Sequence, residues 1–220
     1  MKISRINYKN KSKFVKYEDG FLRILHGANI EELNESEFLL VYDLKKMLSP
    51  IKPSKIITIN KNFKFKYIRA NNSVVNPSAN ILTFLDKLYL TPQIGLVVGK
   101  DRIFSFLIIL SFYSKYFNDA RDYALDTYSP FSEFMARDFF PKFKIKIDKD
   151  IFEFDFSNIE PESIYNIAKK FFNKLYIGDI IAYENDEIEL LVKDQSNVEL
   201  ISEYGRTLNK VIQIPSSKVF

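Results

Sequence analysis

Between Lys142 and Phe156 the chain alternates apolar and polar residues with almost no break, KFKIKIDKDIFEFDF. Side chains of a strand point to its two faces in turn, so this pattern demands two half-buried strands, with a turn at Asp148–Asp150. Three further segments have the same form. Residues 13–25, KFVKYEDGFLRIL, turn around Asp19-Gly20. Residues 54–70, SKIITINKNFKFKYIRA, turn near Asn60–Asn62, and residues 178–192, GDIIAYENDEIELLV, turn near Asn185-Asp186. Asn and Asp suit such turns because they tolerate left-handed backbone.

A helix is expected between the hairpins of each pair. In the first, Asn34 and Glu37 have capping-box spacing, followed by a stripe of Leu40, Val41, Leu44, Met47 and Leu48 over residues 34–48. In the second, Ser157 or Asn158 is the cap and Pro161 sits in the first turn. Its stripe is Ile164, Ile167, Ala168, Phe171 and Leu175, one face of a helix over residues 161–175. The order β-β-α-β-β thus occurs twice, with an Asn-Ile-Glu triplet in each copy, at Asn29–Glu31 and Asn158–Glu160. Either the chain is internally duplicated, or these are the hairpins and helices that recur in any α+β protein.

The middle reads as helical. Residues 80–90 form a short helix, 93–98 a strand, and 101–117 a helix apolar on nearly every side, from Ile103 through Phe112. A helix without a polar face must be buried all round, as the central core element or at an oligomer interface. Ser129-Pro130 starts a further helix that Pro141 stops. The expected fold class is α+β, with two β-hairpin–helix–β-hairpin segments flanking a helical core block. The expected division is a basic lobe at 1–76, an aromatic-rich helical block at 77–141 and an acidic lobe at 142–220, packed as three units or as one continuous body.

Composition narrows the function classes. The 220 residues include no cysteine, which removes disulfides, thiolate metal sites and cysteine nucleophiles and suits a reducing, cytoplasmic or otherwise intracellular setting. The most apolar stretch, Ile103–Tyr113, is too short to cross a bilayer as a helix, so no membrane partner is expected. Charge is uneven. Residues 1–75 carry 15 Lys and Arg against 7 Asp and Glu, a net of +8 inside a chain whose total is +4. Lys9, Lys11, Lys13, Lys16, Lys61, Lys64, Lys66 and Arg69 are the candidate phosphate contacts, with Tyr8, Phe14, Phe63, Phe65 and Tyr67 interleaved.

Catalytic signals are weaker. The single histidine, His26, precedes Gly27 at a turn and reads as structural. Asp119, Asp122 and Asp126 share one face of an expected helix and are candidate Mg²⁺ or Mn²⁺ ligands for phosphodiester hydrolysis, with Glu133 or Asp138 nearby. Gly95 and the Gly99–Asp101 turn lie where a phosphate loop would, but neither the Walker pattern nor GxGxxG is present, and a turn with an N-cap is the plainer reading. The acidic hairpin at 179–194 holds Asp186, Glu187, Glu189 and Lys193 at spacings that do not match a nuclease core.

Residues 152–192, FEFDFSNIEPESIYNIAKKFFNKLYIGDIIAYENDEIELLV, resemble the strand–helix–hairpin units of DNA sliding clamps. The resemblance implies an assembly role, although the block at 77–140 has no counterpart in clamps. The sequence therefore leads to a non-catalytic, cofactor-free protein that binds nucleic acid through its basic N-terminal lobe. A protein-interaction or homo-oligomeric assembly subunit and a metal-dependent phosphodiesterase are the alternatives.

Overall fold

The computed structural model describes residues 1–85, 87–115 and 128–214, and over them the chain is built almost wholly of strands. Strands β1 (Lys2–Tyr8), β2 (Lys11–Glu18), β3 (Phe21–His26) and β4 (Asn34–Val41) form an antiparallel meander. Its first two turns place Lys9, Asn10, Asp19 and Gly20 at positive φ, the backbone that tight hairpin loops require. β5 (Met47–Leu48) folds back on β1, and β6 (Lys55–Asn60) and β7 (Phe65–Ala70) form the next hairpin. The short β8 (Val74–Val75) and β9 (Ile81–Thr83) lead into the long antiparallel pair β10 (Lys87–Val98) and β11 (Ile103–Tyr113). After β12 (Ser129–Pro130) and β13 (Met135–Ala136) come the hairpin β14 (Lys142–Ile147) and β15 (Asp150–Asp155), then helix α1 (Pro161–Phe171). The chain continues through β16 (Ile180–Glu184), β17 (Leu190–Lys193), β18 (Asn197–Ser202) and β19 (Gly205–Gln213).

The large sheet has twelve strands, ordered β4-β3-β2-β1-β13-β11-β10-β16-β6-β7, with β17 on β10 and β5 on β1. A five-stranded sheet, β15-β14-β18-β19-β9, is separate from it. One face of the large sheet supplies Ile94, Leu96, Ile108 and Leu110 to a core shared with Phe143 and Ile145 of β14, Leu200 of β18 and Ile164 and Ala168 of α1. The other face supplies Val97, Leu107, Ile109, Ile180 and Ala182, which pack with Ile3, Leu25 and Met135. The central strands are thus covered on both sides.

That double coverage explains the main correction to the expected fold. The run at 103–113 is β11, not a helix, and within the expected helix at 80–90 Ile81–Thr83 are β9 and Lys87–Leu90 open β10. A strand buried on both faces is apolar at every position, and periodicity then cannot tell it from a buried helix. The expected helix at 34–48 is β4 followed by a single 3₁₀ turn at Leu44–Lys46, capped by the Asp43 side chain. Asn34 caps nothing there; its amide donates to the Glu32 carbonyl at 3.2 Å. Ser129-Pro130 pairs in parallel with β8 instead of starting a helix. Among the described residues only the helix expected at 161–175 forms, as Pro161–Phe171, with Pro161 in its first turn and Ile164, Tyr165 and Ala168 buried. There is no helical core block among the described residues, and without a first helix the two segments are not copies of one unit.

Candidate active site

The face of the large sheet that carries the second core changes character along its length. On β10, Val97 and Gly95 give way to Gln93 and Thr91. On β11, Leu107 and Ile109 give way to Ser111. On β16, Ile180 and Ala182 give way to Glu184. The registers align these changes: Gln93 lies opposite Glu184, and Thr91 opposite Ser111. On the neighbouring hairpin Thr58 lies opposite Tyr67 and Ile56 opposite Arg69. All of Thr58, Tyr67, Arg69, Thr91, Gln93, Ser111 and Glu184 are buried.

Glu184 is the hub. Its Oε2 accepts from the Tyr67 hydroxyl at 3.0 Å and from the Gln93 amide, which also donates to the Tyr67 oxygen at 3.0 Å. Its Oε1 is paired with the Lys66 ammonium, which reaches Asp186 at 2.8 Å. Burial pushes the Tyr67 phenol up to about 12, against the pull of the Arg69 charge, so it stays a neutral donor. Arg69 donates to Ser111 Oγ at 2.8 Å, Ser129 Oγ at 2.6 Å and the Phe112 carbonyl at 3.0 Å. At the solvent edge Lys115 bridges to Glu189 and lies 4.3 Å from the Tyr89 ring centre.

Lys66 arrives through a local irregularity. Ladder partners run Thr58 to Tyr67 and then Ile59 to Phe65, so Lys66 is the extra residue of a β-bulge. In a regular strand Lys66 and Tyr67 would face opposite ways. The bulge brings both to one carboxylate, the re-aiming for which bulges near active sites are used. A buried charged network gives little net stability against an apolar filling of the same volume. Its presence across β10, β16, β6 and the edge strand β7 points to use.

Of the residues the sequence singled out, Lys66 and Arg69 join this cluster, but they face acids and hydroxyls of the chain itself. Lys61 pairs with Glu187, and Lys16 with Glu18 at 3.0 Å and Glu35 at 2.6 Å. Lys9 sits on the β1–β2 turn, Lys11 and Lys13 on β2, and Lys64 beside the β6–β7 turn. Asp119, Asp122 and Asp126 lie outside the described residues. Asp138 is exposed, and Glu133 is buried beside Tyr42 and the Arg206 amide, apart from the cluster. His26 ends β3, exposed. Gly99–Asp101 is a strand-to-strand turn with Asp101 at φ 58°, so no helix N-terminus is there to hold phosphate. The sequence reading missed Tyr67 as a buried donor, Gln93 and Glu184. A signal existed: Thr91 and Gln93 interrupt the apolar run that becomes β10, and Ser111 the one that becomes β11.

No family model and no curated protein matches the sequence. Solved structures do. An uncharacterized protein from Mycobacterium abscessus superposes with a TM-score of 0.84 at 16% identity, over 97% of this chain and 100% of that one. A 2-hydroxyhepta-2,4-diene-1,7-dioate isomerase from Mycobacterium marinum gives 0.82 at 16%, over 96% and 98%. A maleylpyruvate hydrolase from Sphingobium sp. SYK-6, in complex with manganese(II) ion and pyruvate, gives 0.75 at 13%, over 96% and 99%. The non-catalytic nucleic-acid reading and its clamp-like and phosphodiesterase alternatives are overturned by these neighbours, which are metabolic enzymes of small organic acids where their activity is named. Over its described residues the chain has the FAH-like fold that these enzymes share.

Proposed function

We propose that this chain is an enzyme of a small 2-oxo acid or its enol tautomer, moving a proton at the carbon beside the carbonyl. The observation that carries the reading is the buried Glu184 carboxylate held between the Lys66 ammonium and the Tyr67 hydroxyl. It lies on the inner strands of a fold whose neighbours include an isomerase and a hydrolase of such acids. Glu184 is the base. It takes the proton from the carbon next to the carbonyl, and the C–H electron pair passes to the carbonyl oxygen as an enolate. Lys66 stabilises that negative oxygen, and a charge already in place does so with little reorganisation. Delivery of a proton to the enolate oxygen gives the enol and completes the tautomerisation, and the reverse steps return the keto acid. Tyr67 and Gln93 touch Glu184 and position it.

The manganese(II) in the hydrolase neighbour raises the question of a metal here. Hard divalent cations take oxygen ligands, above all carboxylates. Among the described residues no three acidic or histidine side chains converge to hold one. Glu184 is committed to Lys66, Tyr67 and Gln93, and the Gln93 amide turns its NH₂ toward the carboxylate. This donor set does not fit a metal, and the proton transfer rests on Glu184 and Lys66.

The test is solvent deuterium incorporation at C3 of pyruvate and longer 2-oxo acids, followed by ¹H NMR. The wild type should exchange at least one of them, and Glu184→Gln should lose about 10²–10⁴-fold, the usual worth of a positioned general base. Equal exchange rates in the two proteins would remove Glu184 from the reaction.

A further inference from the structure

We infer that Arg5 heads a second binding site, for a small carboxylate carrying an apolar group, in a cleft before the start of β16. The site does not depend on the chemistry at Glu184. The cleft, of about 230 Å³, is lined by Arg5 of β1, Phe14 of β2, the loop Ala28–Ile30 and the segments Ile51–Lys52 and Ile177–Gly178. The last two segments lead into β6 and β16. Ile180 opens β16 and Glu184 ends it, four strand residues on or about 13 Å, so the cleft stands apart from the Glu184 cluster. Ile3, two residues before Arg5 on β1, packs in the second core with Ile30 and Ile51. Strand alternation turns Arg5 to that same side, opposite Phe14. Arg5 is half-buried, and burial lowers its pKa, yet a guanidinium in a protein stays charged. Buried charges are ordinarily paired. Arg5 has no acid. Its Nε donates to Ser12 Oγ at 2.9 Å, and among the described residues its two terminal nitrogens meet no acceptor. Lys52 adds a second cation, and no acid lines the cleft. Glu31, next to the loop, is drawn off to Arg102 at 3.1 Å and to the Lys100 amide at 3.0 Å. The outer edge of the guanidinium is the fork that holds a carboxylate or phosphate through two parallel N–H···O bonds. Phe14, Ile30, Ile51 and Ile177 decide between them, because apolar walls reward only a ligand with an apolar body. The volume lies below the roughly 300–1,000 Å³ of drug-sized sites, so that body is small.

The experiment is a benzoate titration of the whole chain with ¹³C-labelled isoleucine methyls, followed by ¹H–¹³C NMR. Benzoate joins a carboxylate to a flat apolar ring, and benzamide has its shape without its charge. Benzoate should bind saturably, with methyl shifts centred on Ile30, Ile51 and Ile177. Benzamide and inorganic phosphate should each bind at least about tenfold more weakly, the first for want of a charge-assisted hydrogen bond and the second for want of an apolar body. Arg5→Met keeps an apolar stem and should lose about tenfold or more in benzoate affinity. Its melting temperature without ligand should match or exceed that of wild type, because a half-buried charge without an acid has been removed. Benzamide or phosphate binding as tightly as benzoate overturns the inference, as does the absence of saturable benzoate binding. A folded Arg5→Met protein that binds benzoate like wild type overturns it too. Shifts centred instead on Ile188, whose carbonyl accepts from Thr91, would put benzoate at the Glu184 cluster and count equally against it. The wild-type comparison of benzoate with benzamide decides even if Arg5→Met fails to fold.

Discussion

At the residue scale, Glu184 and Glu133 are buried carboxylates held in different ways. Glu184 has a charged partner and two neutral donors. Tyr67→Phe should remove one donor from a buried oxygen and cost about 1–3 kcal/mol in denaturant unfolding, with the backbone unchanged. A cost near zero would mean that the hydroxyl does not satisfy that oxygen in solution. Glu133 has no such charged partner in contact. Burial raises its pKa above the ordinary carboxylate range, against smaller lowering effects from Tyr42 and the Arg206 amide. The sign follows directly. The folded chain holds this proton to higher pH than the unfolded chain, so stability is lost as pH rises past the ordinary carboxylate value. Glu133→Gln, which is neutral at every pH, should therefore raise the melting temperature at pH 7, and the gain should shrink as pH falls toward 4. A gain of the same size at both pH values would rule out ionisation as its source.

At the scale of elements, the burial of β10 and β11 on both faces predicts an uneven response to truncation. Ile108→Ala, in the main core, should cost about 2–5 kcal/mol by chemical denaturation. Val41→Ala, at a residue 77% exposed on edge strand β4, should stay within about 0.5 kcal/mol. Comparable losses at both positions would contradict the strand order. The same contrast explains what could be read in advance. The 142–155 hairpin and α1 each bury one face, so their periods of two and 3.6 are visible in the residues. β11 buries both faces and has no period to read. β4 carries Leu40 and, beyond it, Leu44 and Met47 at helical spacing, although the backbone changes from strand to 3₁₀ turn between them. The site was half legible for a related reason. Lys66 and Arg69 stood out by charge, but Glu184 lies 118 residues further along the chain. It reaches Lys66 because β16 inserts beside β6 in parallel, and no local pattern encodes that pairing.

At the scale of the molecule, the +8 of the first 75 residues suggested a surface for phosphates. Folding disperses that charge. Lys16 and Arg23 share Glu18 and Glu35, and Lys61 and Lys66 turn to acids at the end of β16 and in the loop that joins it to β17, both of which pair with β10 and not with each other. The N-terminal excess of base thus meets the C-terminal excess of acid within one sheet, and part of it ends in the buried cluster. The account stands on that cluster as the place where a small acid binds. The most direct measurement is a crystal structure with oxalate, a planar mimic of enolpyruvate. Oxalate should lie within hydrogen-bonding distance of Lys66 Nζ and beside Glu184, and its density should be lost in Lys66→Ala. Oxalate bound elsewhere, or a cluster that stays closed around Glu184 at saturating oxalate, would contradict it.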